Sequence, residues 1–338
     1  MLPEFMLLLT LGIQNQTCAA ALEAAPQYAA CARGRTGMTL SATQDGADHL
    51  LAHAETAEPR FRHHFAGAPA PYLVLYFEDD PPVSALGDAG FSTVLAWPSP
   101  AKLGELMTAA LRQNALGRQG GGALSDEAEA TLRLQTDAVL TALELKQEGV
   151  VAHELGHTWY KAAFWRDSDI ALDGYATPAP DWLDETAAIL TEGDTLAESR
   201  RKLFLRGWTD LEPRERSASG AIGDLAHFLQ RPHPSQTRET TPSNSAGTTS
   251  VPVTVRMGDA PNSTDAYSNQ VRVFADYLIA RTGDAAVFAQ VSQAVALGSN
   301  FEAWLGSQTQ YPALPRTVLA LQADWASWIN GWALRPRT

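Results

Sequence analysis

Val151-Ala152-His153-Glu154-Leu155-Gly156-His157-Thr158-Trp159-Tyr160 carries His-Glu-x-x-His, and the rest of the chain is read outward from it. Residues four apart on a helix lie on one face, one turn above the other. His153 and His157 can therefore offer two imidazole nitrogens to one cation. Glu154 is turned about 100° around the helix axis, which puts it beside such a cation rather than on it. Val150, Val151, Leu155, Trp159 and Phe164 recur at spacings that bury one stripe of this helix. Gln147-Glu148-Gly149 predicts an acidic, glycine-broken start. The competing reading is a surface helix with two solvated His and one Glu, and the apolar stripe counts against it.

A catalytic zinc takes three protein ligands and keeps one position open. The search for a third ligand leads to Asp181-Trp182-Leu183-Asp184-Glu185-Thr186-Ala187-Ala188-Ile189-Leu190-Thr191-Glu192. Pro178 and Pro180 end a loop, and Asp181 is expected to cap a helix entering at Trp182. Glu185 falls in its first turns. The small residues Ala187 and Ala188 would let this helix approach the His153 helix closely. Glu185 is the preferred third ligand, since Ala188 one turn on leaves room for the ion. Asp184 and Glu192 are its rivals. The alternative for Glu185 is an ordinary first-turn acid favoured by the helix dipole.

His153 to Tyr160 resembles the H-E-x-x-H-x-W-F run of gluzincin aminopeptidases of the aminopeptidase-N type. Trp182-Leu183-Asp184-Glu185-Thr186-Ala187-Ala188 resembles their W-L-N-E-G-F-A segment, whose Glu is the third zinc ligand. The resemblance covers these two short blocks and, more loosely, a third near Tyr267. It implies one zinc ion per chain on His153, His157 and Glu185, with Glu154 as general base. It also implies an oxyanion donor: gluzincins commonly supply a Tyr hydroxyl from a helix start well downstream, where this chain has Tyr267. His227 and His233 are rivals for that task. The chain departs from the family in three places. Asp184 stands for Asn, the stretch between His157 and Glu185 is longer, and the G-x-M-E-N strand that holds a substrate amine has no counterpart. Gly122-Ala123-Leu124-Ser125-Asp126 lies near its place without the Glu. The wider gluzincin, or peptidase MA-like, group is therefore the one resembled.

The activity so implied is a zinc metallopeptidase acting on a peptide or protein. A zinc-bound water, its pKa lowered to roughly 7, attacks the peptide bond. Glu154 takes the proton and passes it to the leaving amine. The missing amine-binding strand favours internal or relaxed cleavage over strict aminopeptidase action. Three other readings stay open: a zinc hydrolase acting on a non-peptide bond, an inactive zinc-bearing binding module, and a mainly structural or interaction protein in which the motif is incidental. An intact Glu154 speaks against the second.

The chain has 338 residues, 45% of them hydrophobic, enough for a substantial core. It carries 25 basic and 38 acidic residues, a net charge of −13, with no long basic cluster. Nucleic acid and anionic membrane are thus poor partners. No stretch is apolar and long enough to span a bilayer. Residues 1–13 are apolar but short, either a trimmed signal or a buried amphipathic segment. Cys18 and Cys31 are the two cysteines. Either they close a short loop in an exported protein or they pack as reduced thiols. With the reaction class, they point towards export, secreted or periplasmic. The oligomeric state is left open.

The expected fold is α+β and zincin-like: a small mixed-sheet half and a helical half, with the zinc site in the cleft between them. Residues 1–36 read as an N-terminal helical appendage or trimmed signal region. The catalytic domain is expected over 37–338, its strand-and-helix half at 37–165 and its helical half at 166–338. Asp45 to His64 predicts a helix. His49 and His53 lie four apart on it and lack a nearby third ligand, so they read as structural or surface, as do His63 and His64. Tyr72 to Glu78 and Phe91 to Trp97 predict strands. Helices are expected from Ala101 to Leu116, from Ser125 through Leu145, from Trp182 to about Trp208, and from Ala221 to Gln230. Residues 166–180 predict a loop at the cleft rim, and 233–265 a polar insertion. Val271, Phe274, Tyr277 and Leu278 mark a core helix. Leu321, Trp325 and Trp328 mark a core C-terminal segment.

Overall fold

The computed structural model describes residues 17–91, 93–118, 123–165, 177–216, 222–234 and 264–333. Over these the protein is a mixed α+β chain, rich in helix, with one small sheet. It divides into two compact units. The first takes the chain up to Thr56 and then Ala70–Val151, and the second takes Ala57–Pro69 and Ala152 onward.

The first unit is built on four strands: β1 (Ala30–Arg33), β2 (Gly37–Ser41), β3 (Tyr72–Phe77) and β4 (Val94–Pro98), in the order β1-β2-β3-β4. β1 and β2 pair antiparallel, and β2, β3 and β4 run parallel. The sequence Tyr-Leu-Val-Leu-Tyr of β3 is apolar without alternation, as expected of a strand covered on both faces, and all five residues are buried. On one face Met38, Leu40, Leu73 and Leu75 form a core with Ala21, Ala25 and Tyr28, and with Leu86 and Phe91. Helices α1 (Cys18–Ala24) and α3 (Val83–Asp88) contribute to it. On the other face Ala30 and Ala32 pack on Ala47 of α2 (Gln44–Phe65). There the Thr39 hydroxyl donates to the Ala47 carbonyl at 2.6 Å. Helix α4 (Pro100–Arg118) follows β4.

The stretch before Gly37 is therefore not a helical appendage in its described part. It contributes α1 and β1 to the sheet, and a disulfide between Cys18 and Cys31 ties the two together. Four residues of β1, two of them alanine, carry too little β-propensity to be read alone. Pairing with β2 makes the strand. Residues 1–16 lie outside the described set.

Helix α5 (Asp126–Phe164) is one continuous element of 39 residues. The expected break at Gly149 is absent, since a single helix-interior glycine costs only about 1 kcal/mol against alanine. The boundary between the units falls inside this helix, after Val151, and not at residue 165. The end of α2 also belongs to the second unit. There Phe61 meets Trp159 and Phe65 meets Tyr160 and Phe164, ring edge against ring face.

The rest of the second unit is helical. It comprises α6 (Asp181–Thr191), α7 (Asp194–Asp210), α8 (Pro213–Arg216), α9 (Leu225–Phe228), α10 (Thr264–Thr282), α11 (Val287–Ala296), α12 (Phe301–Ser307) and α13 (Val318–Ala333). The helix expected to run from Trp182 to Trp208 is split by Glu192 and Gly193 into α6 and α7. Of the expected Ala221–Gln230 helix, only Leu225–Phe228 is helical among the described residues, as α9. α10 packs on both α6 and α7. Trp182 is ringed by Phe228, Phe274 and Phe301, and Trp325 touches Phe204, Trp208 and Phe274. The C-terminal tryptophan segment is thus core, as its spacing predicts. Most of the expected rim loop and of the polar insertion lies outside the described residues.

Candidate metal centre

Everything in the candidate site belongs to the second unit. Helix α6 is buried from Trp182 to Thr191 on every side, so its polar side chains must find partners within the protein. It can lie so deep because it meets α5 at a glycine. A Cβ on Gly156 would stand 2.6 Å from the Cα of Ala188 and 2.8 Å from the carbonyl oxygen of Ala187. The close approach expected from Ala187 and Ala188 is real, and Gly156 is its other half.

This approach brings Glu185 to the two histidines. Among the described residues, His153, His157 and Glu185 form a group whose ligand atoms all lie within 4.8 Å of one another. The two Nε2 atoms are 3.2 Å apart, and Glu185 Oε2 is 3.7 Å from that of His153 and 3.6 Å from that of His157. A tetrahedral zinc with bonds of about 2.0–2.1 Å holds its ligand atoms roughly 3.3–3.4 Å apart. The three atoms therefore fit such an ion with small adjustments.

The rivals for the third position are tied to the other ends of the histidines. Asp184 Oδ1 lies 2.7 Å from His157 Nδ1, and Glu192 Oε1 lies 2.8 Å from His153 Nδ1. An ionised carboxylate only accepts hydrogen bonds, so each Nδ1 carries the proton. Each Nε2 is left facing Glu185, in the orientation that carboxylate partners impose on metal-binding histidines. Both carboxylates are themselves held. Thr177 donates to Asp184 Oδ2 at 2.7 Å. Arg200 on α7 grips Glu192 with two hydrogen bonds of 2.7 and 2.5 Å. Ser268 on α10 donates to Glu185 Oε1 at 2.5 Å. Sequence reasoning placed Asp184 and Glu192 near the site but missed their task. Arg200 and Ser268 had no local signal, because only the packing of α7 and α10 on α6 brings them in.

The electrostatics ask for positive charge at the Nε2 atoms. Burial disfavours charge on His157, yet the hydrogen bond and charge of Asp184, with Glu185 and Glu154, hold its pKa up at about 9. Burial likewise disfavours charge on Glu185, but His153, His233 and His157 pull its pKa down to about 2. Burial also works against charge on Glu192, and Arg200 and His153 keep it below the usual carboxylate range. A divalent cation would meet the same demand as the proton on His157.

Glu154 is only partly buried, and its charge reaches His157. Tyr267 lies in the first turns of α10, next to Ser268, and is fully buried. Its hydroxyl has no hydrogen-bond partner among the described residues. Burial first, then the charge of Glu185, raises its pKa far above the ordinary tyrosine value. His233 is buried with its ring edge on the Tyr267 ring, centroids 5.0 Å apart. His227 is exposed on α9 and is the weaker rival. Asp181 does not cap α6 with its side chain. Its Oδ2 instead accepts from the backbone N–H of His233 at 2.5 Å, anchoring that segment beside the site. The His49 and His53 rings touch each other on α2, away from any converging third ligand among the described residues.

Comparison with protein-family models, with curated proteins and with solved structures finds no match to this chain.

Proposed function

We propose that the chain is a zinc-dependent metallopeptidase of gluzincin type, with the zincin-like arrangement the sequence motifs imply. The observation that carries this reading is the convergence of His153 Nε2, His157 Nε2 and Glu185 Oε2 at ligand spacing, each on a side chain held from behind by a second polar group. Zinc held there would supply Lewis acidity towards a water and a substrate carbonyl. The residues of the chain do the rest. Asp184 and Glu192 keep the imidazole tautomers that present Nε2. Glu154 takes a proton from the attacking water on its carboxylate and returns it to the leaving amine nitrogen. Tyr267, whose hydroxyl has no partner among the described residues, offers it to the oxygen that gains negative charge. The Cys18–Cys31 disulfide favours an oxidising compartment, in line with an exported protein.

Glu154→Gln separates binding from chemistry. Purified in zinc, the variant is expected to keep one ion per chain by elemental analysis and to lose peptide hydrolysis. Wild-type turnover in this variant would remove Glu154 from its role. A wild-type protein that binds zinc yet cleaves no peptide in a broad mixture would leave the binding-module reading in its place.

A further inference from the structure

An arginine is costly to bury without an anion, because its guanidinium does not lose its charge at any ordinary pH. Several arginines of the second unit respect this. Arg200 pairs with Glu192, Arg201 and Arg272 with Asp276, and Arg281 with Asp324. Arg216 donates instead to the Leu211 carbonyl at 2.9 Å. Arg231 is different. Among the described residues it meets no carboxylate within ion-pair distance, and its Nε is enclosed without a hydrogen-bond partner. One outer nitrogen lies 3.5 Å from Gln270 Oε1, at the long limit of a hydrogen bond. The guanidinium rests 4.8 Å over the face of the Tyr267 ring.

That ring is the one beside the candidate centre. Tyr267 precedes Ser268, which donates to Glu185, and the charge of Glu185 acts on both Tyr267 and His233. Two donors without partners among the described residues, Arg231 Nε and Tyr267 Oη, therefore belong to one stacked pair next to the third ligand. Over nine in ten buried polar groups are satisfied, so two failures at one contact point to an absent acceptor. Arg231 is partly exposed.

We propose that Arg231 determines specificity by binding a carboxylate of the substrate, either a free C-terminus or an acidic side chain near the cleaved bond; this rests on the peptidase reading above. One planar guanidinium matches the two oxygens of a single carboxylate. The chain as a whole carries −13 and repels anions at long range. Salt screens that field beyond about 8–10 Å, whereas a contact within a partly buried site keeps its strength. A local cation is thus what an acidic substrate needs here.

The test uses zinc-loaded Glu154→Gln protein, which binds without turnover, and calorimetric affinities for matched blocked peptides. One pair differs by a free or amidated C-terminus, and a second pair carries Asp or Asn at each position in turn. The carboxylate member of one pair is expected to bind about 10- to 100-fold more tightly. Arg231→Met should abolish that preference and Arg231→Lys should keep part of it. The pair that responds identifies the source of the carboxylate. Equal affinity within both pairs, a preference that survives Arg231→Met, or no binding by any peptide would overturn the proposal. Arg231-dependent carboxylate binding without hydrolysis by the wild-type protein would keep this inference and sink the peptidase reading. Hydrolysis without any carboxylate preference would do the reverse.

Discussion

Glu192 stands behind the candidate centre rather than in it. It holds His153 Nδ1 at 2.8 Å and is gripped in turn by Arg200, which is bound to it at two points. Loss of such an outer partner commonly weakens metal affinity by about 10–100-fold. Arg200→Met should therefore weaken zinc by that factor in a chelator competition, and Glu192→Gln should do the same. Unchanged affinity in both would make the Arg200–Glu192 pair a purely structural bridge. Tyr267 leads to a different expectation. Its hydroxyl forms no hydrogen bond among the described residues, so Tyr267→Phe costs no such bond in the resting protein. Zinc content and melting temperature should hold while kcat on a peptide falls by about 10²–10³, as when one oxyanion donor is lost. A near-normal kcat would pass the role to His233, whose buried ring lies against Tyr267.

At the scale of elements, the site depends on how closely α5 and α6 approach. Gly156 faces Ala187 and Ala188 with no room for a methyl group. Gly156→Ala gains about 1 kcal/mol in helix propensity. Forcing the helices apart costs typically about 1–3 kcal/mol. Because the clash is with backbone atoms, the cost is expected to win. The variant should melt lower and also bind zinc more weakly, since Glu185 rides on the displaced helix. Calorimetry with and without zinc checks both effects. A variant of wild-type zinc affinity would show that the three ligands do not need this contact. The break between α6 and α7 belongs to the same scale. It places Glu192 just past the end of α6, and Arg200 two turns into α7, where the two side chains meet.

At the scale of the molecule, acid stability carries a signature of its own. His64 is held near the start of α11 by a 2.9 Å hydrogen bond from Nδ1 to the Ala285 carbonyl, and burial lowers its pKa from 6.5 to about 4. The folded protein then refuses a proton that the unfolded chain accepts. Stability is intact above about pH 6.5, falls as pH drops towards 4, and levels off below that. The ring is partly open to solvent, so the loss from this group is at most about 1–3 kcal/mol. Denaturant melts of metal-free protein between pH 7.5 and 4 should show a smaller acid loss in His64→Gln than in the wild type. Identical pH slopes would exclude His64 as a source. In these melts Cys18 and Cys31 stay joined, so the first unit keeps its link between α1 and β1.

His153, Glu154 and His157 are legible in the sequence because helix periodicity alone puts the two imidazoles on one face. Glu185 is legible because a small-residue helix start can approach another helix, and the core helices of Tyr277 and Trp325 follow from their spacing. β3 and β4 could be read from runs of β-branched, aromatic and aliphatic residues. Other features have no local cause. β1 is a strand only because β2 offers it hydrogen bonds, and α5 continues through Gly149 because one weak residue does not stop a helix that long. The assignment of Asp184 and Glu192 to the histidine Nδ1 atoms needed both helices in place. Arg200, Ser268 and Arg231 are remote in sequence from the residues of the candidate centre that they hold or adjoin. Short-range periodicity reaches one or two helical turns, whereas the surroundings of a buried charge are set by whichever elements pack around it, and these come from the whole length of the second unit.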